Sequence, residues 1–366
     1  MFMNRDLEAM CIKLKNFFIK YYGDILWGAV VCGLVLFAAL RPFGIDHDSI
    51  NYSQSIQECL STKCKNIDLH RFEPSFYMII MLSNLLFADV SRGVLVIYAV
   101  LGVLLKAFAI QKYLGRSFFS LLVYLCLFYV IHEYTQIRAG VAIGIFLLSI
   151  GDIAQRKPAA YFIKTLFAIL FHYSAIIMIP LYFVHKRNYF YLFLPFISMV
   201  CAIIVPDEMF EKLMAKVFII FPSVIENKLA HQFISSKIGS RSVFDIFYTS
   251  KIYLFFTMFF YCMYLGERFK IISKCETFEE VLRNMLSISL GIYFLFIRYR
   301  VLALRPSEFL LSVVIVLIPL CAGKFYKKEH KVLYVCIMAL ACLVILVGDQ
   351  LLIKNLIKME RLLQCF

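Results

Sequence analysis

The stretch 93-GVLVIYAVLGVLLKAFAIQ-111 decides the fold of this 366-residue chain, because it is an almost uninterrupted apolar run. A helix needs about 20 such residues to cross the hydrocarbon core of a bilayer. Comparable runs recur along the whole chain. They occupy residues 25–40, 74–88, 117–131, 139–154, 160–184, 189–205, 251–266, 284–297, 307–322 and 332–348. The sequence therefore predicts an all-α, polytopic membrane protein, since a helix satisfies its own backbone hydrogen bonds in lipid.

The composition supports this class and excludes others. Hydrophobic residues make up 62% of the chain and charged residues 17%, whereas soluble domains contain about 45–50% and about 25%. A soluble enzyme and a disordered chain are thereby excluded. An outer-membrane barrel is disfavoured, because its apolar residues would alternate with polar ones in segments of about ten. We expect one transmembrane domain over residues 1–366, with roughly ten spans.

The basic residues lie mostly in short connections between the apolar runs. The formal net charge of +14 therefore follows the positive-inside rule and does not indicate a nucleic-acid partner. The same rule places the N-terminal segment in the cytoplasm and makes the long connections 41–73 and 206–250 periplasmic loops. The last segment, 349–366, alternates apolar and basic residues, which predicts an amphipathic helix on the membrane surface.

Simple alternation of every run would contradict the positive-inside rule, and two local structures remove the conflict. The run 74–88 is short enough to be a re-entrant segment, which dips into the membrane and returns. The run 160–184 is interpreted as a helical hairpin with its turn near His172, since a lipid-facing span accommodates a histidine only at a cost.

This topology gathers acidic and basic side chains at the outer face, whereas the inner connections are basic with few acid–base pairs. The outer residues are Arg41, Asp46, Asp48, Glu73, Glu133, Gln136, Arg138, Arg298, Arg300, Arg305 and Glu308, with His172 at the tip of the hairpin. Charged residues at span ends usually bind a ligand or pair with one another. We therefore expect any chemistry at the outer face. Cys59 and Cys64 also lie there, where an oxidising compartment would allow a disulfide, although their spacing alone leaves the bridge open.

Two segments of the outer face can be interpreted either as parts of a functional site or as ordinary structural features. In 41-RPFGIDHDSINY-52 the forked guanidinium of Arg41 suits a diphosphate or a carboxylate, and Gly44 allows a tight turn that aims Asp46 at the membrane. The alternative is a solvated loop whose arginine anchors the helix at the headgroups. Glu73 precedes Pro74 and is either a helix-start acid, which suits the dipole, or a carboxylate at the mouth of a cavity.

Three further positions carry charge where a helix starts or breaks. Arg138 at a helix N-terminus opposes the helix dipole and needs an anionic partner, either Glu133 or a ligand. The segment 298-RYRVLALRPSE-308 has surplus positive charge, which suits a lipid-linked phosphate or serves headgroup anchoring with an Arg305–Glu308 pair. His172 is a proton carrier or a structural histidine. A zinc site with other outer histidines is disfavoured, because no zinc-type spacing is present.

Taken in order, these segments resemble the EpsG/Wzy family of bacterial polysaccharide polymerases. The matching pieces are Arg41 with Gly44, Asp46 and Tyr52; Glu73-Pro74 with Phe76; Ile137-Arg138 with Gly140 and Ala142; Phe171-His172 with Ser174-Ala175; and Arg305 with Glu308-Phe309. Ala139 and Val141 replace the more usual Gln and Leu, and Pro306 stands where Leu commonly follows the late arginine.

The resemblance implies an inner-membrane glycosyltransferase without a cofactor. Such enzymes join undecaprenyl-diphosphate-linked oligosaccharide repeats on the periplasmic face, among membrane lipids and with a chain-length regulator as an optional partner. Arg138 and Arg305, assisted by Arg41 or Arg298, would stabilise the leaving diphosphate, and Gln136 and Tyr52 would complete the substrate site. His172, Asp46, Glu73 and Glu308 are the candidates for the general base, with preference for the first two.

Two other activities and a structural role compete with polymerisation. A flippase or transporter for lipid-linked sugars would also need arginines in a cavity, but it should place charges along the whole crossing. A sugar O-acyltransferase would use His172 as its base and would modify sugars without lengthening them. A purely structural membrane subunit is the third alternative, which the clustered outer arginines disfavour.

Overall fold

In a computed structural model of the chain, the described residues are 2–44, 47–62, 72–184, 189–218 and 251–363, and side chains are described within 21–347. These ranges form fifteen α-helices. The first eight are α1 Phe2–Ala39, α2 His47–Ser61, α3 Pro74–Leu86, α4 Val90–Leu114, α5 Phe118–Tyr124, α6 Ile137–Ala154, α7 Pro158–Phe171 and α8 Met178–Leu181. The others are α9 Tyr189–Ile204, α10 Asp207–Phe218, α11 Lys251–Arg268, α12 Thr277–Leu295, α13 Arg300–Leu311, α14 Val314–Gly323 and α15 Lys328–Leu363.

The predicted all-helical membrane class is confirmed, but ten spans are not. Within the described residues, four helical segments are long and apolar enough to cross a membrane, namely Tyr21–Ala39, Val90–Leu114, Ile137–Ala154 and Lys328–Val347. Two bent pairs, α9 with α10 and α13 with α14, raise the number to six if each pair is one span. Three other apolar runs form shorter helices, Pro74–Leu86, Phe118–Tyr129 and Pro158–Phe171. Helices α11 and α12 have 18 and 19 residues, but they are not apolar enough to count as spans. The run 117–131 passes from α5 into a π-helical turn at Leu125–Tyr129.

The segment 160–184 folds back on itself, as the predicted hairpin requires. Helix α7 ends at His172, which has extended backbone angles, and a 3₁₀ turn over Tyr173–Ile177 leads into α8. The hydroxyl of Tyr161 donates to the carbonyl of Met178 at 2.6 Å, and the rings of Tyr161 and Tyr182 lie 5.5 Å apart. Helix α3 has 13 residues, a length that suits a re-entrant segment, and its position in the membrane stays a prediction.

Helix α6 lies at the centre of the packing, against both α4 and α7. Small residues make this possible. A Cβ atom on Gly140 would lie 2.5 Å from the carbonyl oxygen of His132, and one on Gly144 would lie 2.6 Å from Cβ of Leu105. The small residues at the start of this helix thereby allow its neighbours to approach closely.

The two long connections are partly helical. The connection 41–73 contains α2, and 206–250 begins with α10; which side of the membrane they face stays a prediction. The tail prolongs α15 without a break up to Leu363, so a membrane-surface position for it is also still a prediction. Cys59 is disulfide-bonded, whereas its expected partner Cys64 lies outside the described residues, as does Asp46.

Candidate functional site

The carboxylate of Glu73 joins three distant segments of the chain. Glu73 is fully buried at the start of α3 and forms an ion pair with Arg138 at the start of α6. Its other oxygen lies 3.1 Å from Nδ1 of His172 and accepts a hydrogen bond from the backbone N–H of Tyr173 at 3.3 Å. Three of the residues singled out in the sequence therefore meet at one point, which we call the Glu73 cluster: Glu73, Arg138 and His172.

Each member of the Glu73 cluster lies at a helix boundary, and the local sequence explains why. Pro74 begins α3, since its ring suits the first turn of a helix. A π-helical turn over Ile131–Thr135 is followed by Gln136, the N-cap residue of α6, so Arg138 lies in the first turn of that helix. His172 ends α7. Because helix ends leave backbone groups and side chains free to reach beyond the helix, these positions can converge.

Aromatic rings surround the guanidinium of Arg138. Its Cζ atom lies 4.7 Å from the ring centre of Phe72, 5.7 Å from that of Tyr52 and 6.0 Å from that of Phe76. Such cation–π contacts fix the plane of a guanidinium while leaving its edge available. The side chain of Arg138 remains 16% exposed, whereas that of Glu73 is 0% exposed. The arginine therefore reaches the surface of the cluster and the glutamate lies behind it.

The electrostatics of the Glu73 cluster favour a neutral His172. Burial lowers the pKa of this histidine below its ordinary value, and the positive charges of Arg138 and Arg305 act in the same direction against the opposing effect of Glu73. Nδ1 of a neutral His172 then carries the proton that it donates to Glu73, which leaves Nε2 as the basic nitrogen. The cluster with Arg305 thus holds two cationic groups against one carboxylate. Among the described residues, no three His, Cys, Asp or Glu side chains could hold a metal ion together.

Helix α13 supplies the next part of the site. Nε2 of Gln136 donates to Oε2 of Glu308 at 3.4 Å, which connects the start of α6 to α13. Arg305, one turn before Glu308, lies close enough to His172 to affect its pKa. The late arginine and glutamate singled out in the sequence are therefore neighbours of the Glu73 cluster.

Arg41 lies against the turn that precedes Arg138. Its side chain is buried, donates to the backbone carbonyl of Glu133 and stacks on Tyr134 with 5.3 Å between Cζ and the ring centre. The predicted tight turn at Gly44 is confirmed, with φ +85° and a backbone N–H that donates to Oγ of Ser49 at 2.9 Å. In this arrangement Arg41 supports the backbone of the site.

Arg298 forms its contacts away from the Glu73 cluster. It forms an ion pair with Asp207 at the start of α10, and the neighbouring hydroxyl of Tyr299 donates to Glu211 at 3.2 Å. These contacts join α10 to the start of α13. The expectation that Arg298 assists at the diphosphate stays a prediction.

A buried ion pair between Lys106 and Glu133 was missed by sequence reasoning. Nζ of Lys106 lies 2.6 Å from Oε1 of Glu133 and donates to the carbonyls of Gly140 at 2.7 Å and Gly102 at 3.3 Å. Glu133 was one of the two partners considered for Arg138, the other being a ligand; the structure pairs Glu133 with Lys106 and Arg138 with Glu73. The signal was visible: a single lysine inside the apolar run 93–111 requires an internal partner.

A second set of ion pairs lies beside the basic connections 268–274 and 324–331, which the positive-inside rule predicts to be cytoplasmic. Arg283 is fully buried, 2.7 Å from Glu267 and 4.0 Å from the ring centre of Tyr264, while Lys324 lies 2.7 Å from Glu279. The expectation of few acid–base pairs at this end is wrong. The acidic start of α12, where Glu276 and Glu279 form a capping box, was the available signal.

Comparison with known proteins identifies the family of the chain. The model of the EpsG family matches residues 24–349, a range that contains every member of the Glu73 cluster. No curated protein and no solved structure matches the chain. The family match covers most of the sequence and its apolar helices are those of a membrane protein, so this chain belongs to the EpsG family.

Proposed function

We propose that this protein is a membrane glycosyltransferase that polymerises undecaprenyl-diphosphate-linked oligosaccharide repeats, with its site facing the periplasm. Membership of the EpsG family suggests the coarser role, polysaccharide polymerisation in a membrane. The observation that carries the finer proposal is the Glu73 cluster, in which a partly exposed arginine and a neutral histidine share one buried carboxylate. Arg305 supplies a second cation beside them.

The cluster supplies what glycosyl transfer from a lipid diphosphate needs. The acceptor hydroxyl attacks the anomeric carbon of the donor sugar, a carbon–oxygen bond forms, and the bond from that carbon to the diphosphate breaks. Nε2 of His172 takes the proton of the hydroxyl. The diphosphate leaves with the bonding electron pair, and Arg138 and Arg305 stabilise its added negative charge.

The burial of Glu73 distinguishes it from the other candidates for the general base. Its carboxylate is fully enclosed and already accepts from His172 and Tyr173. We therefore assign it as a positioning residue, which holds the tautomer and ring plane of His172 and the plane of Arg138. This is the relation of a base to its orienting group in other nucleophilic sites.

Helix α2 supports the proposal that the site faces the periplasm. Tyr52 of this helix stacks on Arg138, and Cys59 of the same helix is disulfide-bonded. Disulfides persist in oxidising compartments such as the bacterial periplasm and are rare in the cytosol. Helix α2 and the Glu73 cluster therefore fit the periplasmic side, in agreement with the charges of the short connections.

The test is a glycan ladder from a host in which the gene is deleted and then restored. Wild type should give long polymer, whereas Arg138→Ala should give only the single-repeat band with normal amounts of protein in the membrane. Arg116→Ala is the matched control, because Arg116 pairs with Asp24 at an exposed position and should preserve the ladder.

Other outcomes would replace the proposal. Loss of all repeats from the cell surface in the deletion strain would indicate a flippase. A ladder of normal length with altered acylation would indicate an acyltransferase. A wild-type ladder from Arg138→Ala would remove this arginine from the mechanism.

A further inference from the structure

A cavity of about 530 Å³ lies beside the start of α15, well away in sequence from the Glu73 cluster. Its lining combines two lysines and two aromatic rings with an apolar wall: Lys328, Lys331, Phe325, Tyr326, Val332, Val335 and Cys336. Both lysines are exposed. Glu329, the acidic residue of the same turn, does not line the cavity. The cavity therefore presents two positive charges without an acidic side chain in its wall.

The apolar wall continues along the helix in the direction of the membrane. Residues three and four positions apart share one face of a helix, so Val332, Cys336 and Leu340 lie in line on α15. Val332 and Cys336 line the cavity, and Leu340 and Leu343 continue this face beyond it, 64% and 44% exposed. Only 11% of the most apolar window of Lys328–Val347 is buried inside the protein. The two charges thus stand at one end of a long, uncovered apolar surface.

We propose that this cavity binds an anionic phospholipid, whose phosphate lies between Lys328 and Lys331 and whose acyl chains lie along the exposed face of α15. Basic cavities at membrane helices are suited to anionic headgroups, and each lysine near the surface contributes to the attraction. The two aromatic residues of the lining, Phe325 and Tyr326, suit the interface between headgroups and acyl chains.

Charge favours a lipid over a second copy of the chain on this face. Two copies related by an axis along the membrane normal place equivalent residues at the same depth. The lysines at 328 and 331 would then approach their counterparts, and like charges across an interface are unfavourable. A phosphate neutralises them instead.

Cys336 offers a direct probe, because it lines the cavity and is exposed and free. Cys32 and Cys262 are also exposed and free and serve as controls on the same chain. The experiment measures the labelling rate of each cysteine by N-ethylmaleimide in the purified, delipidated protein, by peptide mass spectrometry. Phosphatidylglycerol, phosphatidylcholine of the same acyl chains, or inorganic phosphate is added.

We expect phosphatidylglycerol to slow labelling of Cys336 at least fivefold more than phosphatidylcholine does, with the two control cysteines unchanged. The double variant Lys328→Gln/Lys331→Gln should bind phosphatidylglycerol about thirtyfold more weakly, since two interfacial charges are lost. The matched variant Lys157→Gln/Lys212→Gln, which changes two exposed lysines elsewhere, should retain the protection.

Three results would overturn the proposal. Equal protection by the two lipids would show that charge is not recognised, and equal protection by inorganic phosphate would show that no lipid is needed. Oxidative cross-linking of Cys336 between two copies, at the same rate with and without phosphatidylglycerol, would assign the face to a dimer. None of these measurements uses polymer synthesis, so they test lipid binding independently of the proposed glycosyl transfer.

Discussion

Glu73 and Glu133 are both buried glutamates that pair with a cation, yet their surroundings differ. Glu133 and its partner Lys106 are 1% and 0% exposed. Arg138 and His172, the partners of Glu73, are 16% and 14% exposed. One pair is closed inside the helices, and the other reaches the protein surface through its basic members.

The use of hydrogen-bond donors explains the difference. An ammonium group has three donors, and Lys106 directs its Nζ to Glu133, Gly140 and Gly102. A guanidinium has five donors, so that Arg138 can hold Glu73 and still present N–H groups to a ligand. Lys106 is enclosed and uses all its hydrogen-bond donors within the protein, so it serves packing. Arg138 is partly exposed and keeps donors for a ligand, so it serves binding.

Lys106→Met should have the largest effect on stability. It leaves the carboxylate of Glu133 buried without its cation, and breaking a buried pair costs about 3–5 kcal/mol. The measurement is the free energy of unfolding in mixed micelles. The double variant with Glu133→Gln should recover much of the loss, because no buried charge then remains. A single variant within about 1 kcal/mol of wild type would contradict the structural role of the pair.

Arg138→Lys should affect activity instead of stability. A lysine keeps the charge but cannot hold Glu73 and a diphosphate with one planar fork. Removing a preorganised donor from a transition state lowers the rate about 10²- to 10³-fold. The measurement is polymer formation from purified lipid-linked repeats, with the unfolding transition as control. A normal rate would show that this arginine serves only as a counter-ion to Glu73.

Gly102→Ala should lower the stability by an intermediate amount, because it disturbs the buried pair of Lys106 and Glu133. An added Cβ atom would meet the carboxylate of Glu133 well inside van der Waals contact, and Lys106 and Tyr124 both hold that carboxylate in place. Overpacking of this kind costs about 1–3 kcal/mol. Gly23→Ala is the control in the unfolding assay, since nothing lies within 4 Å of the added atom.

The smallest effect expected concerns pH. A general base must be neutral, and the pKa of His172 lies below its ordinary value of 6.5. At pH 6.5, at least half of the enzyme molecules then have a neutral His172. The rate should therefore rise less than about twofold between about pH 6.5 and about pH 8. Below this range the rate should fall as His172 gains a proton. Glu73→Gln, which removes the nearby charge, should move the midpoint of that fall to lower pH, whereas an unchanged midpoint would contradict the assignment of His172 as the base.

The sequence singled out the members of the Glu73 cluster individually, but it did not show which of them pair. Glu73, Arg138 and His172 are recognisable individually, because charged residues next to apolar runs require an explanation. One of the two partners considered for Arg138 was Glu133, which is near in sequence, but the π-helical turn over Ile131–Thr135 directs the side chain of Glu133 to Lys106. A local change of helix type is difficult to predict from composition.

The sequence by itself determined that the chain is a helical membrane protein, which helices start at Pro74 and near Arg138, and that residue 172 interrupts a helix. These properties depend on local hydropathy and helix-end chemistry, which are encoded within a few turns. Only the tertiary structure decided the number of long helices, the pairing of Lys106 with Glu133 and the meeting of α3, α6 and α7 at Glu73. Those contacts join residues 27, 65 and 99 positions apart, and such pairings depend on the packing of whole helices against one another, which no local pattern records.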